Sequence, residues 1–289
     1  VSTLIIGITI IGFGTSAPEI MISVFSVFDD TPDLAIGNAL GSNIANIGLI
    51  LGLTALFLPI AFTSRLLKRE FPILLIASAL MTWVLWDAQL KLIDGILLLA
   101  LLIAAMAYLI HYSRGDLNDT LASELEQEIP RDMSTRSALL WTLAGLIILV
   151  ASSKLLVWGA VNIATQLGVG ELIIGLTIVA LGTSLPELAA AIAAARKGEP
   201  ELVMGNVIGS NLFNSLAVIG IPAVMIDFTI SPEAITRDLP VMLTLTALLF
   251  LLSHLPKNSC CVITRFKGLL LLSGFVAYQC LLYFQVIAA

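Results

Sequence analysis

Two glutamates, Glu19 and Glu187, lie inside apolar stretches and share one local pattern: residues 14–19 read GTSAPE and residues 182–187 read GTSLPE. An ionisable group in the middle of a bilayer costs roughly a few kcal/mol or more, so it is kept for function and needs a partner. No Lys or Arg stands close in either segment, so a bound cation or a proton must do the neutralising. The neighbouring residues are oxygen donors. On a continuous helix, Thr15 and Ser16 would share a face with Glu19, and Thr183 and Ser184 a face with Glu187. Pro18 and Pro186 have no N–H to donate and disturb the preceding turn, which predicts freed carbonyls near Gly12 and Ala180. In the next apolar stretch of each copy, Ser42 and Asn46 are one helical turn apart, as are Ser210 and Asn214. Carboxylates, hydroxyls, amide oxygens and carbonyls form a hard, all-oxygen set suited to Ca²⁺, Na⁺ or Mg²⁺ rather than to zinc or copper. Two carboxylates balance one divalent ion. When that ion leaves, monovalent cations or protons can refill the site, which is the physical basis of exchange.

The elements that position these residues form an internal repeat. Residues 4–52 align with 172–220 at a constant offset of 168 without a gap, and twenty of the 49 positions are identical. The identities include Gly14/Gly182, Thr15/Thr183, Ser16/Ser184, Pro18/Pro186, Glu19/Glu187, Asn38/Asn206, Gly41/Gly209, Ser42/Ser210, Asn43/Asn211 and Asn46/Asn214, which chance agreement between apolar helices does not produce. Gly37 with Gly41, and Gly205 with Gly209, predict close helix approach.

With 58% hydrophobic and 12% charged residues, the chain has about half the charge of a soluble domain. Apolar segments near the length of a membrane-spanning helix recur from end to end, and backbone polar groups in lipid must be satisfied within helices or closed barrels. Ten-residue alternating segments, the barrel signature, are absent. The expected spans are 3–28, 34–60, 71–87, 93–112, 137–165, 172–195, 202–225, 239–255 and 267–286. The repeat offset carries five of them, an odd number, so the second copy enters from the opposite side. This is an inverted-topology repeat, an architecture that places a transport site near the midplane. Nothing matching 137–165 precedes the first copy, which predicts a further N-terminal helix in the natural protein. The resulting fold is an all-α polytopic membrane protein with two inverted repeats of five helices. Residues 1–112 hold the first repeat without its opening helix, 113–136 a connecting loop, and 137–289 the second repeat.

Eleven Lys and Arg fall in loops on the side of residue 1, against Lys91 and Arg237 on the other. By the positive-inside rule the first side is cytoplasmic. That puts the 113–136 loop in the cytoplasm and the C-terminus outside. The acids Glu124, Glu126 and Glu128 read as a solvated loop or surface helix. The outer side keeps nine acids against its two cations, a field that would concentrate cations. His111 and His254 fall near the cytoplasmic edge. Cys260, Cys261 and Cys280 are odd in number and give no disulfide framework.

With these motifs in place, the sequence resembles the calcium/cation antiporter superfamily, most closely its prokaryotic sodium/calcium exchangers. Both alpha-repeats of that family are present, as G-T-S-x-P-E (14–19 and 182–187) and G-N-x-x-G-S-N with a further Asn three residues on (37–46 and 205–214). The resemblance implies a ten-helix fold, alternating access, Na⁺ and Ca²⁺ as substrates, and no cofactor beyond the transported ions. It implies as ligands Glu19, Glu187, Thr15, Ser16, Ser42, Asn46, Thr183, Ser184, Ser210 and Asn214. Asn at both 46 and 214, where some relatives carry one Asp, argues against potassium dependence. H⁺-coupled Ca²⁺ exchange is the alternative. An intramembrane hydrolase using Ser16 or Ser184 lacks the G-x-S-x-G elbow and an intramembrane base.

Overall fold

The computed structural model describes residues 12–62, 64–113, 133–166, 168–254 and 261–288. The start of the first expected span, the acidic run at 124–128, Lys257 and Cys260 lie outside them. A helix stands at each of the nine expected positions. The first contains α1 (Gly12–Thr15) and α2 (Ala17–Phe28). Then come α3 (Pro32–Phe57), α4 (Ser64–Leu85), α5 (Leu92–Ser113) and α6 (Thr135–Gln166). The second repeat continues with α7 (171–183), α8 (Leu185–Lys197), α9 (Pro200–Met225), α10 (Ala234–His254) and α11 (Arg265–Ala288). Among the described residues, six helical segments are long and apolar enough to cross a membrane: α3, α5, α7 with α8, α9, α10 and α11.

The repeat seen in the sequence reaches further in three dimensions. Helices α3 and α9 both start on a proline, Pro32 and Pro200, whose fixed φ and missing N–H suit a first turn. Both change from α to π geometry at an asparagine, Asn46–Leu51 and Asn214–Val218. They end at Phe57 and Met225, again 168 apart. Short strands follow in each: β1 (Ile60–Ala61) and, at the same offset, β3 (Phe228–Thr229). Strand β1 pairs antiparallel with β4 (Val262–Ile263), and β2 (Gln89–Leu90) with β3. Each pairing joins two loops that the count of spans puts on the same side of the membrane.

Helices α3 and α9 are the buried centre, with 78% and 83% of their most apolar stretch enclosed, against 22–33% for α5, α10 and α11. The outer helices turn apolar side chains outward. On α6, Leu140, Trp141, Ile147, Ile148, Leu155 and Trp158 are all about two-thirds exposed or more, as a lipid-facing helix requires. Close approach occurs where the glycines predict it in the first repeat. A Cβ on Gly37 would meet the backbone of Leu172 and Gly175, and one on Gly41 would meet Ala180 and Leu176, so α3 lies directly against α7. Among the described residues nothing comes within 4 Å of a Cβ on Gly209, so the equivalent approach is not seen there. The last helix of each half packs on the central helix of the other: Gly52 faces Gly268, and Gly220 faces Gly95.

Candidate functional site

The two GTSxPE segments do not form continuous helices, which corrects the shared-face geometry expected from their spacing. Ser16 (φ −86°, ψ 1°) separates α1 from α2, and Ser184 (φ −83°, ψ 1°) separates α7 from α8. Both sit in the bridge region, outside the helical well. A proline in the first turn of the following helix, Pro18 or Pro186, explains the restart, since it cannot supply a helical N–H. Glu19 and Glu187 therefore lie in the first turns of α2 and α8, where the partial positive charge of a helix N-terminus favours a carboxylate. The chain re-enters its helix in mirrored fashion: Ile20 N–H donates to the Ser16 carbonyl at 3.1 Å, and Leu188 N–H to the Ser184 carbonyl at 3.0 Å.

The freed carbonyl expected at Ala180 is instead engaged. It accepts from the Ser184 N–H at 3.1 Å and lies 3.2 Å from the Thr183 hydroxyl. The carbonyl that loses a helical donor to Pro186 is Gly182, four residues earlier. Gly12, the other position expected to offer a carbonyl, begins α1 at the edge of the described residues.

Breaking the helix sends each threonine across to the opposite repeat. Thr15 Oγ1 lies 3.4 Å from both Asn206 Oδ1 and Ser210 Oγ. Thr183 Oγ1 lies 3.3 Å from Asn38 Oδ1 and 3.5 Å from Ser42 Oγ. These contacts are the same pair seen from the two halves. Thr183 stands beside the Glu19 carboxyl and Thr15 beside that of Glu187. Ser42 Oγ also reaches Asn38 Oδ1 at 3.5 Å, and Asn38 Nδ2 donates to the Glu19 carbonyl at 3.3 Å. Asn46 Nδ2 donates to Asn211 Oδ1 at 2.9 Å.

The remaining oxygens are buried and unsatisfied. Glu19 and Glu187 are each 1% exposed. Among the described residues, no hydrogen bond reaches either carboxylate, the hydroxyls of Ser16 and Ser184, the Oδ1 of Asn46 or the amide of Asn214. An unmade hydrogen bond at a buried polar atom costs about 1–3 kcal/mol, more for a charge. Such a cluster, drawn from both repeats, has the oxygen-only chemistry of a hard-cation site. The sequence marked ten side chains as ligand candidates but not the amides that touch them, Asn38, Asn206 and Asn211. Their signal was present, because each recurs at offset 168, yet only the crossing of the helices shows what they touch.

Glu19 and Glu187 are not the only buried acids. Asp238, expected in an outer loop, is fully buried at the end of the π-helical segment Ala234–Asp238 that opens α10. Arg237 holds it at 2.6 and 2.9 Å, and the Tyr278 hydroxyl of α11 donates to it at 2.7 Å. Its charge is matched locally, so it staples α10 to α11. Asp33, at the start of α3, accepts from the backbone N–H and the hydroxyl of Ser231 at 3.0 and 2.5 Å. Glu199 and Glu201, at the start of α9, are buried as well. Cys261 is buried and Cys280 is exposed.

A bundle of broken, mirrored helices around paired acids is the build of a polytopic membrane antiporter for cations. The chain matches the sodium/calcium exchanger protein family over residues 1–111 and 137–284. It is 41% identical to the inner membrane protein YrbG of Escherichia coli (strain K12), covering 97% of this chain and 86% of that protein. It is 28% identical to the sodium/calcium exchanger MaX1 of Methanosarcina acetivorans, covering 98% of this chain and 90% of that one. Its fold is similar to the solved structure of the sodium-calcium exchanger NCX_Mj soaked with 100 mM Na⁺ and 10 mM Sr²⁺. The TM-score is 0.70 and the identity 32%, over 96% of this chain and 86% of that one. The protein belongs to the sodium/calcium exchanger family of cation antiporters.

Proposed function

We propose that this chain exchanges Na⁺ for Ca²⁺ by alternating access, at one site where the two repeats meet near the midplane. The ligands would be Glu19, Glu187, Thr15, Ser16, Ser42, Asn46, Thr183, Ser184, Ser210 and Asn214, with backbone carbonyls from the segments of Gly12 and Ala180 as further donors. The observation that carries this reading is the cluster of unsatisfied buried oxygens around two carboxylates, contributed equally by two halves of opposite orientation. One Ca²⁺ would neutralise both acids. Its departure would leave two negative charges in a poorly solvated site, which favours loading by Na⁺ before the halves rearrange. Broken helices whose N-termini meet at the site are a recurring device of inverted-repeat carriers. The positive-inside bias supports a cytoplasmic 113–136 loop and an external C-terminus. The family's transport activity supports transport rather than hydrolysis at Ser16 or Ser184.

Proton coupling is the second reading, since paired carboxylates without basic partners could also release and take up protons. The distinguishing experiment reconstitutes the protein in Na⁺-loaded liposomes and follows ⁴⁵Ca²⁺ uptake. Uptake that requires the outward Na⁺ gradient at clamped pH is expected. Uptake that ignores Na⁺ and follows an imposed pH gradient would replace sodium coupling with proton coupling.

A further inference from the structure

The two halves carry identical residues at every side-chain ligand position named above, yet they are wired differently. At an offset of 168, Asn43 corresponds to Asn211 and Asn46 to Asn214. A symmetric crossing would pair Asn46 with Asn211 and Asn214 with Asn43. The first pair forms, with Asn46 Nδ2 donating to Asn211 Oδ1 at 2.9 Å. The second does not. Asn43 turns its Nδ2 to Ser215 Oγ at 3.0 Å and to Met242 Sδ at 3.4 Å. Among the described residues its Oδ1 has no partner, and neither polar atom of Asn214 has one. All of these side chains are buried: Ser215 and Asn214 are 0% exposed and Asn43 is 2% exposed.

The sequence supplies the cause. The residue matching Ser215 in the first repeat is Ile47, which is apolar and fully buried. Asn43 therefore has a hydroxyl to receive its NH₂ group, whereas the Asn211 NH₂ group turns to the Asn43 backbone carbonyl at 3.5 Å and leaves the Asn211 Oδ1 facing Asn46. The consequence falls on the amide ligands. With its NH₂ group donated to Asn211, Asn46 presents its oxygen in a fixed direction. Among the described residues no hydrogen bond holds the Asn214 amide, so it must be ordered when an ion arrives, and a ligand that has to be ordered binds less tightly than a preorganised one.

We propose that Ser215 is a positioning residue: by holding Asn43 away from Asn214, it leaves one amide ligand of the cation site unfixed and so weakens divalent binding enough for Ca²⁺ to be released in exchange. This rests on the cation-site reading above. Ser215 acts through Asn43 and Asn214, not by touching the ion.

The test measures Ca²⁺ binding and exchange rate in the reconstituted full chain. Ser215→Ala frees Asn43 to accept from the Asn214 NH₂ group, as Asn211 accepts from Asn46. Its Kd for Ca²⁺ is expected to fall by roughly two- to tenfold, with a lower maximal exchange rate. Ser215→Thr, which keeps the hydroxyl, should behave as wild type. In an Asn214→Ala background the Ser215→Ala change should leave Kd unmoved, because the residue it acts on is gone. Ile47→Ser makes the reciprocal change, offering Asn211 a hydroxyl and releasing Asn46, and should weaken Ca²⁺ binding; it serves if Ser215→Ala does not fold. Weaker or unchanged Ca²⁺ binding in Ser215→Ala, or the same shift with and without Asn214, overturns the proposal while leaving the cation site intact. A folded wild-type protein that binds no Ca²⁺ overturns both.

Discussion

The two threonine crossings and the asparagine crossing lie in the same buried centre and are built from the same repeated residues, but they obey different rules. Thr15 meets Asn206 and Ser210 just as Thr183 meets Asn38 and Ser42, with distances that agree to about 0.1 Å. The asparagines pair on one side only, because Ser215 stands where the first repeat has Ile47. Internal repetition thus gives equivalent ligand types and, at the threonine crossings, equivalent geometry. It does not guarantee equivalent orientation, which one neighbouring hydroxyl can change. A carrier has a use for both properties: symmetric halves can exchange roles, and an uneven ligand set lets a bound ion leave.

The largest expected effects come from substituting the acids. Glu19→Gln and Glu187→Gln each remove one charge needed to balance a divalent ion, so each is expected to abolish ⁴⁵Ca²⁺ flux while the helical circular dichroism stays that of wild type. Substantial flux in one variant alone would mean that the halves are unequal at the carboxylates too. Next come the crossings. Thr15→Val and Thr183→Val keep the side-chain shape and delete the hydroxyl, and each should raise the apparent KM for Ca²⁺ by about tenfold, as expected for about 1–1.5 kcal/mol per polar contact. Losses that differ by an order of magnitude would show that the matching distances hide different energetics. The smallest effect lies outside the site. Tyr278→Phe removes one hydrogen bond to Asp238, and in a membrane interior such a bond contributes on the order of 0.6–1.7 kcal/mol. A drop of a few degrees in the melting temperature of the solubilised protein, with KM unchanged, is expected. A shifted KM would couple the α10–α11 staple to transport.

Much of this was legible in the sequence, for physical reasons. Paired GTSxPE segments at a fixed offset, separated by an odd number of spans, required an inverted repeat, and among the described residues helices stand where apolar runs of membrane length stood. Three features were not legible. The break at Ser16 and Ser184 depends on backbone angles that a proline permits but does not dictate, so spacing alone suggested a continuous face. Which hydroxyl crosses to which amide is a property of helix crossing, which no local pattern encodes. Asp238 looked like a loop acid because its neutralising partners are its neighbour Arg237 and Tyr278, forty residues away.

The central claim is that one Ca²⁺ is shared by the two acids. The most direct measurement is an equilibrium Ca²⁺ titration of the solubilised protein beside Glu19→Gln and Glu187→Gln. One ion per chain in the wild type, displaced by Na⁺ and lost in both variants, is the predicted result. A variant that still binds one Ca²⁺ with wild-type affinity would contradict it.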